Sequence, residues 1–278
     1  MARPGSSRWL FALCPLPSAL CPLPFALCPL PLLNRSLAGA ALLGVLLVGV
    51  PASGRGPATD DPEEIYRQRE DLVSAKRAAA LWAMTAASDF EAAWKLARAS
   101  YWIGTHGPEP ERRAALERGV TAGEAAARLG PGRPEGHFWL AADMGALAES
   151  HGLVQGLKYR GRVRSELERA MAIDPAWQQG SAESALGRWY FEVPRLFGGS
   201  RAKAEDHFRR VLDRFPHSKT ALSFLAEVLV AEGRIGEART LLQRVIAAPT
   251  IDSDWLPEER DFQRKAAARL PTLAAASR

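Results

Sequence analysis

Acid–base or metal chemistry in this chain would have to be built from five histidines: His106, His137, His151, His207 and His217. None belongs to an HExxH, and no other pair has helical metal-ligand spacing. His207, beside Asp206, reads as part of a solvated helix face, and His137, beside Phe138 and Trp139, as a helix entry. No GxGxxG, GxxxxGKS/T or GxSxG occurs, and Gly198-Gly199 lacks the strand and lysine of a phosphate loop. The only cysteines are Cys14, Cys21 and Cys28, so everything beyond them is without a thiol nucleophile, disulfide or thiolate ligand. The acid pairs Glu63-Glu64 and Glu258-Glu259 lie near helix starts, where the helix dipole favours them. The residues offer recognition rather than catalysis. No enzyme, metal site or cofactor is expected, and an enzyme of unrecognised type ranks third among the readings.

The elements that position these residues begin with an unusual leader. Four of the 36 basic residues and none of the 31 acids lie within 1–56, so beyond it 32 bases face 31 acids. That balance leaves no basic footprint on the domain, and nucleic acid is not an expected partner. Residues 11–31 read FALCPLP, SALCPLP, FALCPLP, with proline too frequent for a helix. Residues 1–33 are therefore low-complexity sequence, in the manner of a mis-assigned start. Residues 34–54 hold Arg35, an uncharged stretch from Leu37 to Val50, and Pro51-Ala52-Ser53-Gly54. A positive flank, a short apolar run and a small-residue cleavage site describe a secretory signal peptide, hence periplasm or cell envelope. The alternative is an uncleaved segment anchored in the inner membrane, which would be the chain's membrane contact. Leucine precedes each cysteine, which speaks against lipidation. Residues 55–62 form a linker, and 63–278 the domain.

From Glu63 onward the apolar spacing is helical, and alanine, leucine, arginine and glutamate dominate. A large–small pair followed by small and bulky residues and a proline recurs four times. The units are Trp94 to Pro131, Leu140 to Pro175, Leu186 to Pro216 and Leu225 to Pro249. Gly119 to Pro131, Val163 to Pro175 and Ala204 to Pro216 each span 12 residues. This is the pattern of the tetratricopeptide repeat, of about 34 residues, in which small side chains let helix A approach helix B and proline stops helix B. The fold class expected is all-α: a right-handed α-α superhelix of about four such hairpins, with a C-terminal helix to about Leu270 capping the stack. Asp254 or Ser253 would cap that helix, with Pro257 in its first turn. The A–B segments Ser150 to Gly161 and Val193 to Ser200 are lengthened; they are either ligand loops on one edge or longer helices with ordinary turns.

Gly136-His137-Phe138-Trp139-Leu140-Ala141, Arg188 to Pro194, and Leu196 to Ala204 with Phe208 resemble the T component of TRAP transporters. The ending, Ala248-Pro249-Thr250 with Trp255, Pro257-Glu258-Glu259 and Arg260-Asp261-Phe262, resembles the regulators of microtubule dynamics. The likeness spans roughly residues 75–270. The T-component resemblance implies a periplasmic helical-repeat protein that associates with a solute-binding protein and can form a homo-oligomer. In such stacks helix A lines a concave groove. The corresponding positions here are Lys95, Trp102, Phe138, Arg188, Phe191 and Glu227, with Glu192 beside them. They are expected to hold a protein or peptide partner or an apolar small ligand, with Arg188 clamping a carboxylate. The alternative function is a general assembly adaptor with no transporter link.

Overall fold

The computed structural model describes residues 60–276 apart from His151. The expected low-complexity leader and signal peptide, and the expected linker up to residue 59, lie outside the described residues. The helices are α1 (Pro62–Arg67), α2 (Leu72–Ala83), α3 (Phe90–His106), α4 (Glu109–Leu129), α5 (Pro134–Ser150), α6 (Gly152–Ile173), α7 (Ser181–Glu192), α8 (Arg201–Arg214), α9 (Lys219–Ala231), α10 (Ile235–Ala247) and α11 (Leu256–Ala276). Single 3-10 turns sit at Trp177–Gln179, Arg195–Phe197 and Ser253–Trp255. There is no strand among the described residues.

Local chemistry sets the boundaries. Asp61, Asp71, Asp89, Ser200 and Ser218 accept backbone N–H bonds at the starts of α1, α2, α3, α8 and α9. Pro131, Pro175 and Pro216 fall in the turns from helix B to the next helix A, as the repeat requires. The four hairpins are α3–α4, α5–α6, α7–α8 and α9–α10, preceded by the short pair α1–α2. Successive A helices pack on one another, whereas contacts between successive B helices are sparse, which puts helices A on the inside of the curve.

Small residues allow the close packing. A Cβ on Gly123 of α4 would lie 2.7 Å from the Leu140 Cα of α5, and one on Gly187 would lie 2.8 Å from the Phe208 ring. Gly119 leaves room for the Asp143 carboxylate, which is fully buried without a hydrogen-bond partner among the described residues. Burial pushes that carboxyl well above the ordinary range.

The lengthened A–B segments resolve in two ways. Ser150 to Gly161 is mostly helix, since α5 runs to Ser150 and α6 begins at Gly152, so the extra residues lengthen the helix. Val193 to Ser200 is a true loop around a 3-10 turn. In the C-terminal segment Asp252 caps the 3-10 turn that precedes α11, accepting from the Asp254 N–H at 2.9 Å, and Pro257 stands in the first turn of α11 as expected. α11 continues through Pro271 to Ala276, beyond the expected end at Leu270.

His137 is a structural joint. It is buried, with Nδ1 2.6 Å from a Glu166 oxygen of α6 and Nε2 3.2 Å from the Pro131 carbonyl. The Glu166 bond raises the His137 pKa against the effect of burial, and the same bond lowers that of Glu166. His207 departs from the solvated-face reading: its side chain is 13% exposed, stacks on Tyr190 and lies 3.4 Å from Glu183. A helix B face in a stack is covered by its own helix A partner.

Two outcomes follow from these contacts. Gly123→Ala is expected to cost about 1–3 kcal/mol despite alanine's better helix propensity, because Leu140 backbone must move. Gly161→Ala, with nothing near its Cβ position, is expected to gain about 0.5–1 kcal/mol; urea unfolding of both variants checks the pair. The His137 contribution is complete below its unfolded value of about 6.5 and is lost as pH rises through the raised native value. The Glu166 contribution is present above about pH 4.3 and is lost on acidification. The thermal midpoint of the parent chain is therefore expected to fall as pH rises through that value, and His137→Gln to flatten the fall; thermal unfolding across about pH 6–9 checks the pair.

Candidate concave binding face

The inner face of α7 and α9 carries one cation among three anions. Arg188 Nη2 is 2.8 Å from Glu192, its Nη1 pairs closely with Glu227 of α9, and its Nε is 3.8 Å from Glu149 at the end of α5. The guanidinium lies over the rings of Phe224 at 5.0 Å and Phe191 at 5.9 Å. One turn of helix separates Arg188 from Glu192, so α7 presents both on one side. Burial, together with Glu192 and Glu227, raises the Glu149 pKa against the attraction of Arg188. With all four groups ionised, the cluster carries a surplus of two negative charges. Arg188 is therefore already engaged by carboxylates and is not free to clamp another one; the surplus suits a cation.

The other expected residues are placed elsewhere. Lys95 bonds to Glu63 of α1 at 3.3 Å and to Glu91 at 3.7 Å. Trp102 is buried, donates its indole N–H to the Arg69 carbonyl at 2.7 Å and stacks on His106 at 3.8 Å. Phe138 is buried edge-on to Trp177, in the turn between α6 and α7, at 4.9 Å. The structure thus brings Arg188, Phe191, Glu192 and Glu227 together, and gives Lys95, Trp102 and Phe138 packing partners outside that cluster. Tyr101, Trp139, Glu149 and Phe224 are inner-face residues that the repeat register did not single out. Tyr101 and Trp139 pack at 5.7 Å, and each is the immediate neighbour of an expected residue.

Part of the inner face is occupied by the chain itself. α11 packs on α10 and α9, as a capping helix should, and its N-terminal end also reaches the first helices. Arg69, just beyond the end of α1, pairs closely with Glu258 and donates to the Asp254 carbonyl. Lys219 of α9 bonds to Glu259 at 2.9 Å. Trp255 stacks on Trp139 of α5 at 6.0 Å, Phe262 meets Phe224 at 5.9 Å, and Asp261 lies 3.7 Å from His106 of α3. Burial pushes the Glu258 carboxyl up despite Arg69. The C-terminal helix is therefore a strap across the inner face as well as a cap.

Two hollows, of about 190 and 260 Å³, are lined by residues of α8–α10 and of α2 and α4 respectively; neither includes Arg188. Among the described residues, no group of three or more His, Cys, Asp or Glu could hold a metal ion. Nor is any described helix long and apolar enough to cross a membrane.

A family profile described as Regulator of microtubule dynamics protein 1-3 matches residues 64–274. No curated protein matches the chain. Among solved structures, a thermophilic tetratricopeptide protein of Thermus thermophilus, TTC0263, is 21% identical with a TM-score of 0.56, over 75% of this chain and 97% of that one. MamA (14% identity, TM-score 0.43, 76% and 99% covered) and pilF of Pseudomonas aeruginosa (15%, 0.42, 77% and 92%) are more remote. The first of these supports the tetratricopeptide-like fold.

The strap yields an expectation of its own. Glu258→Ala leaves the Arg69 side chain, 3% exposed, without its partner, and is expected to cost about 3–5 kcal/mol. Asp254→Asn, which weakens only the half-exposed pair with Arg67, should cost at most about 1 kcal/mol. Denaturant unfolding of both variants checks the ordering.

Proposed function

The chain belongs to the family Regulator of microtubule dynamics protein 1-3, and we propose that it is a non-catalytic scaffold that holds a protein partner on its inner face. The observation that carries this reading is the Arg188 cluster: three carboxylates on one guanidinium, beside Phe191 and Phe224, on the inside of a helical-repeat curve. Repeat scaffolds of this kind generally bind protein segments along that surface. The charge surplus selects a partner segment with lysine or arginine; Phe191 stays partly exposed beside it, while Phe224 is packed against Phe208 and Phe262.

Location in the bacterial periplasm or envelope rests on the signal-like residues 34–54. A link to TRAP transport, with a solute-binding protein as partner, rests on the T-component resemblance at 136–141, 188–194 and 196–204 with Phe208. Membership of a family described by microtubule regulation favours a second reading, a protein-interaction adaptor without a transporter.

The test is co-purification of the tagged full chain from fractionated cells, with the partner identified by mass spectrometry. Glu192→Gln with Glu227→Gln is expected to weaken recovery of that partner about tenfold or more at low salt, and less at high salt. A partner retained equally by the double variant would remove this face as its site.

A further inference from the structure

The lengthened loop between α7 and α8 has a use that the inner face does not absorb. All turns inside hairpins lie along one edge of a repeat stack. On that edge Leu196 is 87% exposed, the most exposed large apolar side chain among the described residues. Its turn is held rigidly. The Phe197 and Gly199 N–H groups donate to the Pro194 carbonyl at 2.8 and 3.2 Å, and the Ser200 N–H donates to the Tyr190 carbonyl at 2.8 Å. Gly198 adopts a φ of +102°, open to glycine and strained for other residues. Leu196 is thus displayed by a braced turn.

Cations surround it. Arg160 of α6 lies 5.3 Å over the Phe197 ring, Lys203 lies 5.3 Å from the Tyr190 ring, and Arg195 and Arg201 flank the turn in sequence. Among the described residues none of these four has a carboxylate within ion-pair distance, and Arg201 donates instead to the Ala231 carbonyl. The acids of α6, α7 and α8 are held by other bases: Glu166 by His137, Glu168 by Arg164, Glu183 by Arg210, Glu192 by Arg188, and Glu205 by Arg209. The exceptions are Asp206 and Asp213, both beyond the first three residues of α8.

We propose that this edge docks on an anionic lipid surface, Leu196 dipping below the headgroups while the four cations remain among them. A bilayer asks for no pocket, only an apolar tip ringed by unpaired positive charge. A single-stranded nucleic acid would gain from stacking on open rings, whereas Trp189 and Tyr190 are buried and Phe197 is covered by Arg160; a duplex would want a broad basic face, and beyond residue 56 the 32 bases face 31 acids. The surface is independent of the Arg188 cluster and of any partner held there.

The full chain tests this, with a readout that separates the edge from the apolar leader. Hydrogen exchange is followed with vesicles of phosphatidylcholine containing about one third phosphatidylglycerol, with phosphatidylcholine alone, and with soluble polyglutamate. The anionic vesicles alone should slow exchange in 195–203. That slowing should fall about fivefold or more in Leu196→Ser with Arg195→Gln, and also in concentrated salt. Three results would overturn the proposal: vesicles that bind without slowing 195–203, equal slowing by polyglutamate, which marks an acidic-protein site, or slowing unchanged in the double variant. Circular dichroism of the double variant confirms that its helices are intact.

Discussion

Two neighbouring carboxylates, Glu258 and Glu259, leave the start of α11 for opposite ends of the repeat array. Glu258 meets Arg69 behind the first helix, and Glu259 meets Lys219 at the start of the last hairpin. Both bases are almost wholly buried. Removing either partner leaves a charge with no water to replace it, so the strap holds less by net attraction than by the cost of opening it. Apolar contacts join the same seam: Trp255 on Trp139, and Phe262 against Phe224. An open stack relies on contacts between adjacent repeats. Here residues 185 to 190 positions apart hold one another as well.

The strap also decides which part of the inner face faces solvent. Near α1, α3 and α5 the curve meets Asp254, Trp255, Glu258 and Asp261 of its own chain. Around Arg188 the carboxylates stay partly exposed, with Glu227 at 50% and Glu192 at 40%. The charged cluster is thereby the portion open to another molecule, and its surplus of glutamate over arginine gives that portion its sign.

Much of this architecture was legible in the sequence. The 12-residue spacing to Pro131, Pro175 and Pro216 marks the B-to-A turns because proline ends a helix wherever it stands. Gly119, Gly123 and Gly187 marked close helix approach, since nothing larger fits against Asp143, Leu140 and Phe208. The site was half legible. Arg188, Phe191, Glu192 and Glu227 follow from the register of α7 and α9. Glu149 does not, because it reaches Arg188 from the last turn of a neighbouring helix. Phe138 was singled out, yet its neighbour Trp139 meets the strap, a shift of one residue on a helix turning about 100° per residue. The strap was read only as a cap, because a pair such as Arg69 and Glu258 leaves no periodic trace. Glu258-Glu259 looked like a dipole-favoured helix start, which they also are.

Open repeat proteins evolve by duplication: a hairpin of about 34 residues is copied and the solenoid grows by one step. That route is closed here. An inserted hairpin would carry Arg69 away from Glu258 while Lys219 stayed beside Glu259, and one helix start could no longer reach both. Two adjacent side chains thus tie the closing helix to this number of repeats, and a longer stack would have to give up one of the two pairs.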